Sequence, residues 1–206
     1  MPRNEVKTPI SQRKLPQQRR SIVMVDSILE ATIRILKSSP EPKLTTSSIA
    51  GKAGISVGSL YQYFPNKQSI IAALIRWHSK DSIEKLKTVL KTEKPESLSR
   101  TIEILVRFAV DYHLDRRTIY KFMSKHLYSL DCEPYVAEAR NRATDMIDDY
   151  CATHSIAEDH PQRRQAIYLS TIAVMGIVDY FIAIDDSQLS REDIYEQAQK
   201  LVSQYL

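Results

Sequence analysis

Apolar residues recur at three- and four-residue steps from Ser21 onward, and this helical period constrains the fold more than any other feature of the chain. The first stripe of this kind includes Ile22, Val25, Ile28 and Leu36. Prolines and short polar clusters interrupt the pattern where helices end, and no segment alternates with the period of two typical of strands. The sequence therefore predicts an all-α protein. The expected helices cover approximately residues 21–36, 45–53, 56–63, 67–91, 95–113, 115–129, 134–154, 161–184 and 190–204.

Charge is distributed unevenly along the chain. Residues 1–80 contain 13 Lys and Arg but 4 Asp and Glu, a net charge of +9, and the remainder carries −5. A basic first part favours a polyanionic partner. Residues 1–20 contain many basic and few large apolar groups, so we expect a flexible basic arm. Such an arm either follows phosphate groups near a DNA groove or is a solvated tail without a role.

Several classes of protein are disfavoured by the sequence. Cys132 and Cys151 provide neither a disulfide framework nor paired zinc ligands, although a redox role for either thiol stays open. The chain has no glycine-rich phosphate loop, HExxH motif or Gly-x-Ser-x-Gly elbow, so we expect no enzyme, no cofactor and no metal site. No apolar run approaches the roughly 20 residues of a membrane-spanning helix. We therefore expect a cytoplasmic protein without a membrane partner.

Residues 45–63 form the most informative segment. Two short helices joined by Gly54-Ile55-Ser56 are the pattern of a helix-turn-helix. Thr45 or Thr46 suits the N-cap of the first helix, Gly54 suits the left-handed residue that ends it, and Ser56 suits the next N-cap.

The second of these helices separates into two faces. Leu60 and Phe64 lie four residues apart and are expected to pack inward, with Val57 partly beside them. The opposite face then presents Gly58, which lets a partner approach the backbone, and Gln62, whose amide suits adenine.

The remaining polar residues of this segment suit DNA as well. Ser59 and Tyr63 share the outward face, and Ser56 begins a helix whose N–H groups favour an anion. Thr46, Tyr61, Tyr63 and Lys67 carry hydroxyl or ammonium donors of the kind that bind phosphates.

The segment resembles the DNA-binding domain of the TetR family of transcriptional regulators over about residues 21–75. The residues that carry the resemblance are Ile28-Leu29-Glu30-Ala31, Leu44-Thr45-Thr46-Ser47-Ser48-Ile49-Ala50, Ala53-Gly54-Ile55-Ser56, Gly58-Ser59-Leu60-Tyr61 and Tyr63-Phe64-Pro65-Asn66-Lys67. The chain departs from the family where it has residues 38–42 in place of a turn glycine, and where Tyr63 replaces a frequent histidine.

The resemblance implies a three-helix DNA-binding domain, a larger helical ligand-binding domain and a homodimer. We place the first domain at residues 21–67, the connecting helix at 67–91 and the second domain at 92–206. Thr46, Tyr61, Tyr63 and Lys67 would contact phosphates, and Ser47, Val57, Ser59 and Gln62 would lie near base edges. The candidate DNA-contacting residues are Thr45, Thr46, Ser47, Ser56, Val57, Gly58, Ser59, Tyr61, Gln62, Tyr63 and Lys67.

The second half of the chain offers less specific signals. Aromatic residues and methionines are expected either to line a pocket for a small-molecule effector or to fill a core. The candidate pocket residues are Phe108, Tyr112, Phe122, Met123, His126, Met146, Tyr150 and Met175. In the family the last two helices, here about 161–184 and 190–204, form the dimer interface, and Ala173 and Gly176 would permit close approach.

The resulting hypothesis is a ligand-responsive repressor that binds a palindromic DNA operator as a homodimer. The alternative is a helical adaptor or a ligand- or redox-sensing module that does not read DNA sequence.

Overall fold

The structure, a computed structural model, describes residues 19–39, 42–184 and 190–204. These residues form nine α-helices and one short 3-10 turn, which confirms the all-α prediction. The helices are α1 Arg19–Lys37, α2 Thr46–Ala53, α3 Val57–Tyr63, α4 Lys67–Glu93, α5 Leu98–Leu114, α6 Arg117–His126, α7 Glu133–Thr153, α8 Arg163–Ile184 and α9 Arg191–Ser203.

One predicted segment lies outside the described residues, and one predicted helix ends earlier than expected. The predicted arm falls outside the described residues, except for its last two, which begin α1. The sixth helix ends at His126, and a 3-10 turn over Tyr128–Leu130 replaces the expected last helical turn. Asp131 follows with a left-handed φ of 49°, which ends the helical path of the backbone.

The chain divides into two compact units. The first comprises Met1–Trp77 and Phe122–Cys132, and the second comprises His78–Lys121 and Glu133–Leu206. In the first unit α1 packs on α2, and α2 packs on α3. Its core contains Ile28, Leu29, Leu36, Ile49, Leu60, Phe64, Ile70 and Leu74, all buried.

Two apolar clusters hold the second unit together. One joins α5, α8 and α9 through Ile102, Val106, Val110, Val174, Val178, Phe181, Ile182, Ile194, Tyr195, Ala198 and Val202. The other joins α4, α7 and α8 through Leu86, Leu90, Ile147, Cys151, Ile156 and Ile167. Helix α8 contributes to both clusters, so it is the central element of this unit.

The expectation that no apolar run approaches the length of a membrane-spanning helix is wrong for α8. The stretch Arg163–Ala183 has a mean hydropathy of 1.8 and is long and apolar enough to cross a membrane by length and composition. About a third of it, 33%, is buried within the structure. Packing within the unit accounts for the apolar residues of this buried third, because a helix that joins two clusters needs apolar residues on more than one face.

A cluster of polar rings lies within the second unit. The His78 ring lies 5.1 Å from the Tyr112 ring and 5.6 Å from the His113 ring, and His113 lies 4.7 Å from Tyr120. The Tyr112 hydroxyl donates to Asp81 at 2.9 Å, whereas His78 Nε2 is buried without a hydrogen-bond partner among the described residues.

The two histidines of this cluster are held in the neutral form. Burial, together with the nearby His113 and Arg116, lowers the pKa of His78 to about 3. Burial, together with the charge of Arg116, lowers the pKa of His113 to about 4, although a hydrogen bond from its Nδ1 to the Ala109 carbonyl opposes the shift. Protonation of either ring would place an uncompensated charge inside the fold.

We expect the free energy of unfolding to fall as pH decreases from about 6.5 towards 4. Over this range the unfolded chain takes up protons on His78 and His113 that the folded chain does not accept, at about 1.4 kcal/mol per pH unit for each group. Urea unfolding at a series of pH values measures this slope. His113→Gln should reduce it by about one proton, whereas the exposed His154→Gln serves as the control. An unchanged slope in His113→Gln would contradict the assignment.

Candidate nucleic-acid interface

Helix α2 is bounded by two local structures that the sequence encodes. At its start, Thr45 Oγ1 accepts the Ser48 N–H at 3.0 Å and Ser48 Oγ accepts the Thr45 N–H at 3.0 Å, a capping box. At its end, Gly54 has a φ of 70°, and its N–H bonds the carbonyls of Ala50 and Gly51. Because this left-handed backbone suits glycine, residue 54 fixes where α2 stops.

Helix α3 is only seven residues long and is held at both ends. Ser56 Oγ accepts the Ser59 N–H at 3.0 Å and lies 2.9 Å from Ser59 Oγ. Leu60 and Phe64 are fully buried, as the face assignment predicted. The cap of Ser56 uses one of the backbone donors at the start of α3, so that N–H is engaged within the chain.

The outer face of α3 combines exposed and partly exposed residues. Gly58 and Gln62 are exposed, whereas Ser59 and Tyr63 are half-buried. Val57, expected partly inside, is 37% exposed, and Tyr61 is 40% exposed. The structure therefore brings the candidate residues of α3 to one solvent-facing surface.

Gly58 is not required by the fold itself. A Cβ added at this position would meet only Ser56 Oγ, at 3.8 Å, an ordinary contact. Since glycine weakens a helix interior, a reason for glycine here has to be sought outside the chain.

A hydrogen bond between two side chains joins α2 to α3. Thr46 Oγ1 and Tyr61 Oη lie 3.2 Å apart, and either hydroxyl can donate. Thr45 and Ser47 are exposed beside half-buried Thr46 at the start of α2. The contact orders two hydroxyl groups that suit phosphate oxygens.

Lys67 is exposed and is the first residue of α4. In the sequence it follows closely after Tyr63, the last residue of α3. The helix starts where Asn66 Oδ1 accepts the Ser69 N–H at 2.8 Å. From residue 42 to residue 80 the chain contains five basic residues and no Asp or Glu. A run free of acids gives this surface a positive potential, a signal that a local charge count could have found.

The candidate pocket residues do not share one environment. Phe108 and Tyr112 line a groove of about 430 Å³ within the second unit, and Met175 packs on the cluster of α5, α8 and α9. Met146 and Tyr150 pack on the cluster of α4, α7 and α8, with the Tyr150 hydroxyl donating to the Pro95 carbonyl at 3.2 Å. Phe122, Met123 and His126 belong to the first unit.

The remaining candidate chemistry concerns metal binding and the reactivity of the two cysteines. Within the described part of the chain no three His, Cys, Asp or Glu residues are grouped to hold a metal ion. Cys132 and Cys151 are buried, and burial raises the pKa of the Cys151 thiol, which disfavours its reactive thiolate.

Residues 28–74 match the family model of the bacterial regulatory proteins of the tetR family. Among curated proteins the chain is 33% identical over 78 residues to the nucleoid occlusion factor SlmA of Alteromonas mediterranea, covering 38% of this chain and 40% of that protein. It is 29% identical over 69 residues to SlmA of Marinobacter nauticus, covering 34% and 35%. The chain thus spans well under half the length of these curated relatives.

Solved structures resemble the fold over most of the chain. A TetR transcriptional regulator from Rhodococcus sp. RHA1 superposes with a TM-score of 0.64 at 18% identity, covering 91% of this chain and 97% of that one. A TetR transcription regulator from Haloarcula marismortui gives a TM-score of 0.66 at 15% identity, covering 89% and 96%. At these identities the likeness concerns the fold.

Two glycine substitutions should have opposite effects on stability. Gly58→Ala adds a methyl group into open space within a helix, so we expect the free energy of unfolding to rise by about 0.5–1 kcal/mol. Gly54→Ala forces a side chain into the left-handed region and should lower it by about 1–2 kcal/mol. Urea unfolding of both variants tests this pair, and a destabilising Gly58→Ala would show that the fold needs this glycine.

Proposed function

We propose that the protein belongs to the tetR family of bacterial regulatory proteins, whose family model residues 28–74 match, and that it is a cytoplasmic, sequence-specific transcriptional regulator. It binds a palindromic operator as a homodimer and acts as a repressor that a small molecule releases. The observation that carries the proposal is the outer face of α3, where Gly58 and Gln62 are exposed opposite the fully buried Leu60 and Phe64.

The outer face of α3 suits the major groove of DNA. Gly58 leaves the backbone uncovered, so the helix can approach base edges closely. Gln62 offers an amide that pairs with adenine, and Ser47, Val57 and Ser59 lie near the same edges in this arrangement.

Phosphate contacts would fix the position of this helix on the duplex. Thr46 and Tyr61 form one hydroxyl pair, and Tyr63 and Lys67 add donors at the other side of α3. The acid-free run of residues 42–80 supports such contacts, because no nearby carboxylate in this run repels phosphate.

Dimerisation is supported by an apolar face of α8. Leu169, Ile172 and Tyr180 are 47%, 37% and 54% exposed, and with Gly176 they follow one side of the helix. Gly176 has no neighbour within 4 Å of an added Cβ, so a second helix has room to approach there. The outward residues of α9 are polar, among them the ion-paired Glu196 and Lys200, and would form a polar rim.

A dimer explains how a short reading helix achieves useful affinity. Two copies of α3 about 34–36 Å apart would enter successive major grooves on one side of the DNA. An effector releases the operator only if it binds the state with unsuitable spacing more tightly, because equal affinity for both states shifts nothing.

The proposal predicts tight, salt-dependent binding to DNA from the protein's own upstream region and weak binding to a scrambled fragment. Gln62→Ala should cost about 1–3 kcal/mol and relax the preference at one base pair, whereas Lys67→Ala should weaken both fragments alike and reduce the salt slope by about one. Gly58→Ala should weaken DNA binding while the fold stays intact. Titration of labelled fragments at two salt concentrations measures all three.

Equal and weak binding to both fragments would leave only non-specific electrostatics. Selection from random DNA then separates an operator elsewhere from a module that does not read sequence. A Gln62→Ala variant that loses the same affinity on both fragments would contradict the assigned roles.

Gly176→Arg should convert the dimer to a monomer without unfolding it. The new side chain meets open space within one chain but obstructs the second copy at the centre of the α8 face. Sedimentation velocity measures the mass, and DNA titration should show a loss of operator affinity. Asn141→Arg, at an exposed position of α7, is the control. A Gly176→Arg protein that stays dimeric would place the interface elsewhere.

A further inference from the structure

We propose that the groove between α4 and α5 binds a small organic anion with an apolar body, such as an aromatic carboxylate. The inference rests on the proposed ligand response and specifies the chemical class of the effector. The groove has a volume of about 430 Å³, within the range of small-molecule sites. Its lining residues all belong to the second unit: Lys85, Thr88, Val89, Glu93, Arg100, Ile104, Arg107, Phe108, Asp111, Tyr112, Asp115 and Arg116.

The three acidic residues of the groove are all engaged in ion pairs. Glu93 pairs with Arg100 at 3.0 Å. Asp111 and Asp115 both pair with Arg191 of α9, at 2.7 and 2.9 Å. These carboxylates therefore repel an incoming anion less than free ones would.

Two of the four cations in the groove are likewise engaged. Arg100 is shared between Glu93 and Glu103, and Arg107 lies 3.5 Å from Glu103 and 3.2 Å from Glu192. Both side chains are part of ion pairs that an anion would have to compete for. The charge available to a ligand comes from the other two cations.

Lys85 and Arg116 have no carboxylate within 4.0 Å among the described residues. Arg116 lies 4.1 Å over the Tyr112 ring and donates to the Tyr112 carbonyl at 3.2 Å. A guanidinium has five N–H donors, so several stay available for a carboxylate. Lys85 is exposed on α4 and lines the groove.

The floor of the groove between these cations is apolar. Ile104 and Tyr112 are each 5% exposed, and Val89 and Phe108 are half-buried. The Phe108 and Tyr112 rings lie 5.6 Å apart, which offers an aromatic ligand two rings to pack against. A ligand whose carboxylate binds Lys85 and Arg116 and whose ring packs on this floor would use both features of the groove.

Isothermal titration calorimetry of the full-length protein tests the inference with 4-phenylbutyrate and its neutral counterpart 4-phenylbutan-1-ol. We expect the carboxylate to bind about tenfold more tightly than the alcohol, because only the carboxylate forms charge-assisted hydrogen bonds. Lys85→Met should lower the affinity for the carboxylate about tenfold and leave that for the alcohol unchanged. Arg116→Met should do the same.

Lys87→Met is the matched control, because Lys87 is exposed on α4 but does not line the groove. Because Lys85 is exposed, Lys85→Met should leave the fold intact. This variant therefore tests the inference even if Arg116→Met disturbs the Tyr112 ring. Equal affinities for the two compounds, absence of binding, or insensitivity to Lys85→Met would overturn the inference.

The binding measurement contains no DNA, so it is independent of the proposed regulatory role. A protein that binds 4-phenylbutyrate through Lys85 but does not bind operator DNA would support the groove and contradict the proposed function. A protein that binds operator DNA but not this compound would support the function and overturn the groove.

Discussion

The interface depends on the burial of Leu60 and Phe64 beneath a helix that is too short to be stable alone. An isolated seven-residue helix is marginal in water because nucleation costs more than its few hydrogen bonds return. Fully buried inner residues and the Ser56 cap compensate for this cost in α3. Gly58 and Gln62 on the opposite face are thereby left exposed, which suits the proposed contact with DNA.

The two units use polar groups in different ways. In the first unit the basic residues Lys43, Lys52 and Lys67 of the acid-free run are exposed at the surface, where water solvates them. In the second unit, polar rings are buried, and within the part of the chain that the structure describes a ring nitrogen of His78 has no hydrogen-bond partner. Such an arrangement costs stability and persists only where the surrounding packing is strong.

The helix order and most helix ends could be predicted from the sequence. Thr45, Gly54 and Ser56 act on neighbours within a few residues, so local patterns located α2 and α3 almost to the residue. The apolar run of α8 was underestimated from the sequence. The helix is long and apolar enough to cross a membrane, and contacts with α5, α7 and α9 account for the apolar residues of the third that is buried.

By itself, the sequence determined the all-α class, the helix-turn-helix and the identity of its outer face, since each follows from period, caps and spacing along the chain. The tertiary structure decided which distant residues meet. It assigned Phe122, Met123 and His126 to the first unit and Phe108 and Tyr112 to the second, and it brought Arg191 to Asp111 and Asp115. Such pairing between residues that are distant in sequence decides which cations of the groove lie outside ion pairs. No local sequence pattern encodes this pairing.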